Sequence, residues 1–126
     1  MEQREKNIFH IYYHMKIIIT ESKLNNTIMY YLDKNYIPDY GWSDNEDYAN
    51  EISEYDKYDF YVDDEIFYTY SKWGDGLDEL YLRDNVINSL TDLFGNHWAP
   101  VFKEWFESNT GLKVDSMVDG YFNPLI

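Results

Sequence analysis

Apolar positions along the chain fall into two spacings, and the alternation between them predicts the elements. Residues 8 to 19, "IFHIYYHMKIII", are rich in β-branched and aromatic types and predict a strand with Ile8, Tyr12 and Ile18 toward a core. Thr20 then stands where an N-cap is needed, with Glu21 at the positive end of the helix that follows. Leu24, Ile28, Tyr31 and Leu32 form a helical stripe to about residue 35, and Pro38 blocks its continuation. Residues 37 to 54 predict an acidic loop with one helical turn around Tyr48 to Ile52.

The spacing then shortens to two. Tyr58, Phe60 and Val62 alternate with Asp59 and Tyr61; Asp63-Asp64 supplies a turn; Ile66, Tyr68 and Tyr70 alternate with Phe67, Thr69 and Ser71. That pattern is a β-hairpin. "WGDGLD" gives a second turn through Gly74 and Gly76, and Leu80 and Leu82 mark a third strand. Asp84 is placed to cap a helix carrying Ile87, Leu90 and Phe94 that stops at Gly95. A last helix, about 98 to 109, sets Trp98, Val101, Phe102, Trp105 and Phe106 on one face and ends at Gly111, after which "LKVDSMV" returns as a strand. The expectation is a single α+β domain over residues 1–126, with an antiparallel sheet of three to five strands packed on two or three helices.

Composition changes the picture in one respect. Aromatic residues make up 20% of the 126, enough buried area for a core despite the polar average, since folding at this size should remove roughly two thirds of the extended chain's surface from water. The absence of cysteine excludes a disulfide framework and thiolate chemistry, and the N-terminal stretch is too broken by His10, His14 and Lys16 for a signal segment. A cytoplasmic location follows as the expectation, with no membrane partner.

Charge is more informative. The formal net charge is −14, and between Asp44 and Asp84 there are 14 acidic and 3 basic residues, so that stretch alone holds −11. Such a surface repels phosphate backbones and anionic lipid, which argues against direct nucleic-acid binding, and it suits a basic protein as partner.

The segment Met15 to Leu24, "MKIIITESKL", resembles the opening of small proteins of bacteriophages and environmental viruses, in which a Lys/Ile-rich strand runs into a Thr-capped helix. The order "DEIFYTY", "LDELYL", "SLTDLFG" and "FKEWFESNTGLKV" is similar in arrangement, and about half of the chain takes part. The resemblance implies that residues 1–14 are an N-terminal extension and that the protein works in a host cell's cytoplasm. It brings no catalytic motif.

Candidate chemistry is sparse. His10 and His14 lie four apart, yet "HIYYH" lacks the glutamate of a zinc protease and needs His97 or a carboxylate as third ligand. "PDYGWSDNEDY" fails the calcium-loop register, because counting from Asp39 or Asp44 never brings Gly to the sixth position and Glu to the twelfth. Paired carboxylates such as Asp63 with Asp64 or Glu104 with Glu107 arise by chance among 24 acids. With no P-loop, GxGxxG or GxSxG motif, the expectation is a non-enzymatic protein with no cofactor and no metal. The candidate surface comprises Asp44, Glu46, Asp47, Tyr48, Glu51, Glu54, Tyr55, Asp56, Asp59, Tyr61, Asp63, Asp64 and Glu65, carboxylates for a partner's cations interleaved with phenol rings for cation–π contact. Against it stands the plain alternative of a solvated sheet edge kept soluble by charge. The expected role is inhibition of a basic nucleic-acid-binding host protein, a defence nuclease of the CRISPR or restriction type, by nucleic-acid mimicry. The runners-up are a virion or assembly component that self-associates and a metal-dependent hydrolase.

Overall fold

The computed structural model describes residues 21–42, 56–72 and 78–126. The expected strand at 8 to 19, the Thr20 cap, the helical turn near Tyr48 and the "WGDG" turn lie outside the described residues. Within them the order is α1 (Glu21–Asn35), β1 (Asp56–Val62), β2 (Glu65–Lys72), β3 (Glu79–Leu82), α2 (Asp84–Phe94), a 3-10 turn (Gly95–His97), α3 (Trp98–Thr110) and β4 (Ser116–Val118). The α+β class and the positions of these elements agree with the apolar spacing. No helix among the described residues is long and apolar enough to cross a membrane.

The four strands lie in the order β1-β2-β3-β4. The first three are antiparallel, but β4 runs parallel to β3, with Leu80 opposite Met117, so the sheet is mixed and not wholly antiparallel as expected. The connection explains the direction: α2 and α3 fill the crossover between β3 and β4, and such a crossover returns the chain parallel where a hairpin would reverse it.

A second correction concerns β2. Phe60 pairs with Tyr68 but Tyr61 pairs with Ile66, which leaves Phe67 as an extra residue in a β-bulge. Ile66 therefore shares Tyr61's outer face and does not point inward, while the Phe67 ring comes within 5.6 Å of Tyr36 on the core side. A third concerns α2, whose first residue is Asp84. Arg83 occupies the cap position without a side-chain cap bond, and Asn85 Oδ1 accepts from the Val86 amide at 3.0 Å.

All three helices contribute to one cluster over the inner face of the sheet: Ile28 and Leu32 from α1, Val86 and Leu90 from α2, and Trp98, Val101, Phe102, Trp105 and Phe106 from α3. The sheet answers with Tyr58, Phe60, Tyr68, Tyr70, Leu80 and Leu82, the inward set expected of β1, β2 and β3 apart from Ile66 and from Val62, which is buried outside this cluster, and with Met117 of β4. Phe106 stands edge-on to Phe60 at 5.3 Å between ring centres, and Trp42 reaches Trp105 at 5.1 Å. Most polar tips within the cluster are paired, although the buried Trp42 Nε1 has no acceptor among the described residues. Trp105 Nε1 donates to Asp33 Oδ1 at 2.8 Å, tying α3 to α1, and the hydroxyls of Tyr68 and Tyr70 donate at 2.6 Å to the carbonyls of Tyr36 and Lys113. Burial raises the pKa of both phenols, so they stay protonated donors.

Phe106 is fully buried, with its ring against three aromatic residues of the sheet, Phe60, Tyr68 and Tyr70. Phe106→Ala is expected to cost about 3–5 kcal/mol in urea unfolding, the range for an aromatic cavity; a loss below about 1 kcal/mol would show that α3 does not hold the sheet.

Candidate functional site

The hairpin tip is built around a two-residue turn. Asp63 and Asp64 have φ of 53° and 66°, the left-handed conformation at both central positions that matches the twist of paired strands. Asparagine and glycine are the usual occupants; aspartate tolerates the region because its short carboxylate can bond locally. Here another residue does the bonding. Asp39 Oδ1 accepts from the Asp63 amide and Asp39 Oδ2 from the Asp64 amide, both at 2.9 Å, and the Asp39 amide donates to the Tyr61 carbonyl at 2.8 Å. One carboxylate thus grips both turn amides and fixes the tip. The side chains of Asp63, Asp64 and Glu65 are exposed around it.

The other expected site residues divide into four groups. Tyr61 is on the outer face of β1 and 39% exposed. Asp59, on the same face, is half-buried and engaged: its Oδ1 accepts from the Thr69 hydroxyl at 2.8 Å, and Thr69 itself is 4% exposed. Asp59 is therefore the partner of a buried hydroxyl across the ladder, not a free surface charge. Asp56 belongs to β1 at the end away from the turn. Asp44, Glu46, Asp47, Tyr48, Glu51, Glu54 and Tyr55 lie outside the described residues. The structure also divides the acidic third of the chain. Asp78 and Glu79 sit at the far end of the sheet from the turn, where the Asp78 amide donates to Asp115 Oδ2 at 2.9 Å and Lys113 Nζ lies 3.0 Å from Asp115 Oδ1.

Beside the tip is an open cleft of about 460 Å³ lined by Tyr61, Asp64, Glu65, Ile66, Arg83 and Asn85. Three of these belong to the expected site. Ile66, Arg83 and Asn85 do not, and their presence follows from the bulge, which turns Ile66 outward and lets the Arg83 amide pair with the Phe67 carbonyl at 3.1 Å. The guanidinium of Arg83 sits 5.7 Å from the centre of the Tyr81 ring, a cation–π distance. The sequence signal for it is slight: Arg83 is the one Lys or Arg between Lys72 and Lys103.

A second exposed feature is the turn after β4. Asp119 Oδ1 accepts from the amides of Tyr121 at 2.8 Å and Asn123 at 2.9 Å, while Oδ2 takes the Asn123 side-chain amide at 3.3 Å. Those donors, the Asn123 amide first, hold the Asp119 carboxyl below the usual carboxylate range. The turn carries Phe122 at φ 63°, and it leaves Tyr121 and Phe122 81% and 68% exposed.

Among the described residues no group of three His, Asp or Glu side chains is arranged to hold a metal ion. His97 is exposed in the 3-10 turn. No protein-family model, curated protein or solved structure matches the chain.

Two outcomes follow. Asp39→Ala should lower stability by about 1 kcal/mol and speed hydrogen exchange at the Asp63 and Asp64 amides, with Asp39→Asn less affected; unchanged exchange would show that the carboxylate does not hold the turn. For Asp119, whose folded pKa lies below the unfolded value, the stabilising contribution is present at neutral pH and is lost as pH falls through the lowered folded pKa. Asp119→Asn should therefore flatten the acid limb of a stability-versus-pH curve, and an unchanged limb would remove Asp119 from that account.

Proposed function

We propose that the chain is a non-catalytic acidic binding protein whose ligand is the basic, nucleic-acid-binding surface of another protein, which it inhibits by occupying that surface. The observation that carries the reading is the Asp39 grip on the hairpin turn. A solubilising acidic edge has no need of a fixed conformation, whereas a recognition surface loses less ordering entropy on association when its charges are held in place beforehand. Exposed Asp63, Asp64 and Glu65 at the tip, with Tyr61 beside them, provide carboxylates for ammonium and guanidinium groups and a phenol ring for cation–π contact. A net charge of −14 adds steering toward a cationic partner, strongest at low salt. The further specification of a host defence nuclease, and of a cytoplasmic site of action, rests on the similarity of "MKIIITESKL" to bacteriophage proteins and belongs to the proposal.

A second reading has its own support. Tyr121 and Phe122, held out of the fold by a hydrogen-bonded turn, form the kind of apolar contact a virion or assembly component uses to associate. The two readings differ in their response to salt. Self-association through aromatic rings persists as ionic strength rises, whereas binding through carboxylates weakens.

The test begins with capture of basic proteins from a bacterial lysate at low and high salt. Any nucleic-acid-binding protein retained is then challenged with its own DNA or RNA. Wild type should displace the nucleic acid, and Asp63→Asn/Asp64→Asn/Glu65→Gln should do so about tenfold less well while unfolding at the same urea concentration. Asp59 is left in place because it serves Thr69. Equal displacement by the triple variant would reject the tip as the contact surface.

A further inference from the structure

The cleft beside the hairpin tip is not simply acidic. One side carries the exposed carboxylates of Asp64 and Glu65; another carries Arg83 and Asn85; Ile66 and the Tyr61 ring complete the lining. Arg83 makes no ion pair among the described residues, although the molecule has more than two acids for every base. The Tyr81 ring takes up one face of the guanidinium, and its N–H donors remain. Asn85 Oδ1 is committed to the Val86 amide, which leaves its NH2 group as the outward donor. Both residues stand at the start of α2, where the helix's positive end reinforces the same sign. The nearest acid on that helix, Asp84, does not line the cleft; its Oδ1 lies toward Gly120.

We infer that this cleft is a bipolar recognition site for a polypeptide segment that presents a basic group and a carboxylate close together, the cation meeting Asp64 and Glu65 and the anion meeting Arg83 and Asn85. The inference rests on the protein-binding function proposed above and deepens it: the partner's surface is basic on the whole but carries an acid at this point. An open cleft of this size suits side chains projecting from a protein surface, because small-molecule sites enclose most of their ligand. Arg83 then fixes register. A partner lacking the acid would leave the guanidinium facing cations, so a uniformly basic surface is disfavoured and a matched one accepted.

N-acetyl-arginine and N-acetyl-arginine amide provide the test. They share the guanidinium and nearly the same shape, but the first has a carboxylate where the second has a neutral amide. Titrated at low ionic strength against the full chain and followed by NMR shifts at the Ile66 and Asn85 amides, the acid should bind about threefold more tightly than the amide, the size expected of one exposed ion pair. Arg83→Gln should reverse the order, because without the guanidinium a net charge of +1 is preferred by an acidic surface; Glu65→Gln should weaken both probes. An amide bound as well as or better than the acid by wild type would overturn the bipolar site and leave the basic-surface reading standing. Shifts spread over all carboxylates, or absent from the cleft, would overturn it too. Failure of the tip triple variant to alter displacement of nucleic acid would instead strike the proposed function.

Discussion

The hydroxyl of Tyr68 is the contact on which the arrangement of the other parts depends. Its side chain is wholly buried in the middle of an interior strand, packed on Phe60 at 4.9 Å and on Phe102 at 5.4 Å. A phenol in that position must find an acceptor, since an unpaired buried hydroxyl costs about 1–3 kcal/mol. The acceptor is the carbonyl of Tyr36, one residue beyond the end of α1. Two residues along the same face, Tyr70 does the same with the carbonyl of Lys113, just after α3. One strand therefore holds the chain exits of two helices through phenols that also supply its largest buried area. Hydrophobic burial sets how closely the layers pack, and the two hydroxyls set where the connecting segments leave.

That tether reaches the surface. Tyr36 fixed under the sheet determines where Pro38 and Asp39 emerge, and Asp39 arrives beside the hairpin with its carboxylate on both turn amides. Three residues later Trp42 returns to the core against Phe60 and Trp105. The acidic tip is consequently not an independent loop. Its geometry is inherited from a buried phenol through a short run of backbone, so a core substitution at Tyr68 should be felt at Asp63 and Asp64 without touching either. This coupling also separates Asp39 from the other acids of the sequence: its charge is consumed by the turn, whereas Asp63, Asp64 and Glu65 face outward.

The sequence was most readable where a single periodicity governs a whole element. The stripe Leu24, Ile28, Tyr31 and Leu32, the face of α3 from Trp98 to Phe106, the stops at Gly95 and Gly111 and the Asp63-Asp64 turn all follow from local rules, and the structure has each of them. What escaped depends on pairing between distant residues. A bulge at Phe67 shifts β2 by one residue and sends Ile66 to the other face, which no count of alternating positions in β2 alone contains. The parallel direction of β4 is set by a crossover that the strand's own composition does not encode. The Asp39 grip spans 24 residues, and Arg83 joins the cleft only through strand pairing. The acidic character of the tip was visible in composition; that Asp59 is committed to Thr69, and that Asp78 and Glu79 sit at the opposite end, was not.

These placements bear on what mimicry of nucleic acid requires. Phosphates along one strand recur about every 3.4 Å of helix rise. A β-strand sets same-face residues roughly 6.8 Å apart, so a row of acids on alternate positions could imitate every second phosphate. The described part of β1 does not offer such a row: Asp59 is followed on its face by Tyr61, and the next carboxylates gather at the turn. A partner of the proposed kind would meet a compact cluster of carboxylates with a phenol and a guanidinium beside it, which resembles the focused anchor points of protein interfaces more than an extended polyanion. Under the proposed function any mimicry would be of charge sign and not of phosphate spacing, and shape at the tip, set from within by Tyr68, is what would distinguish one basic surface from another.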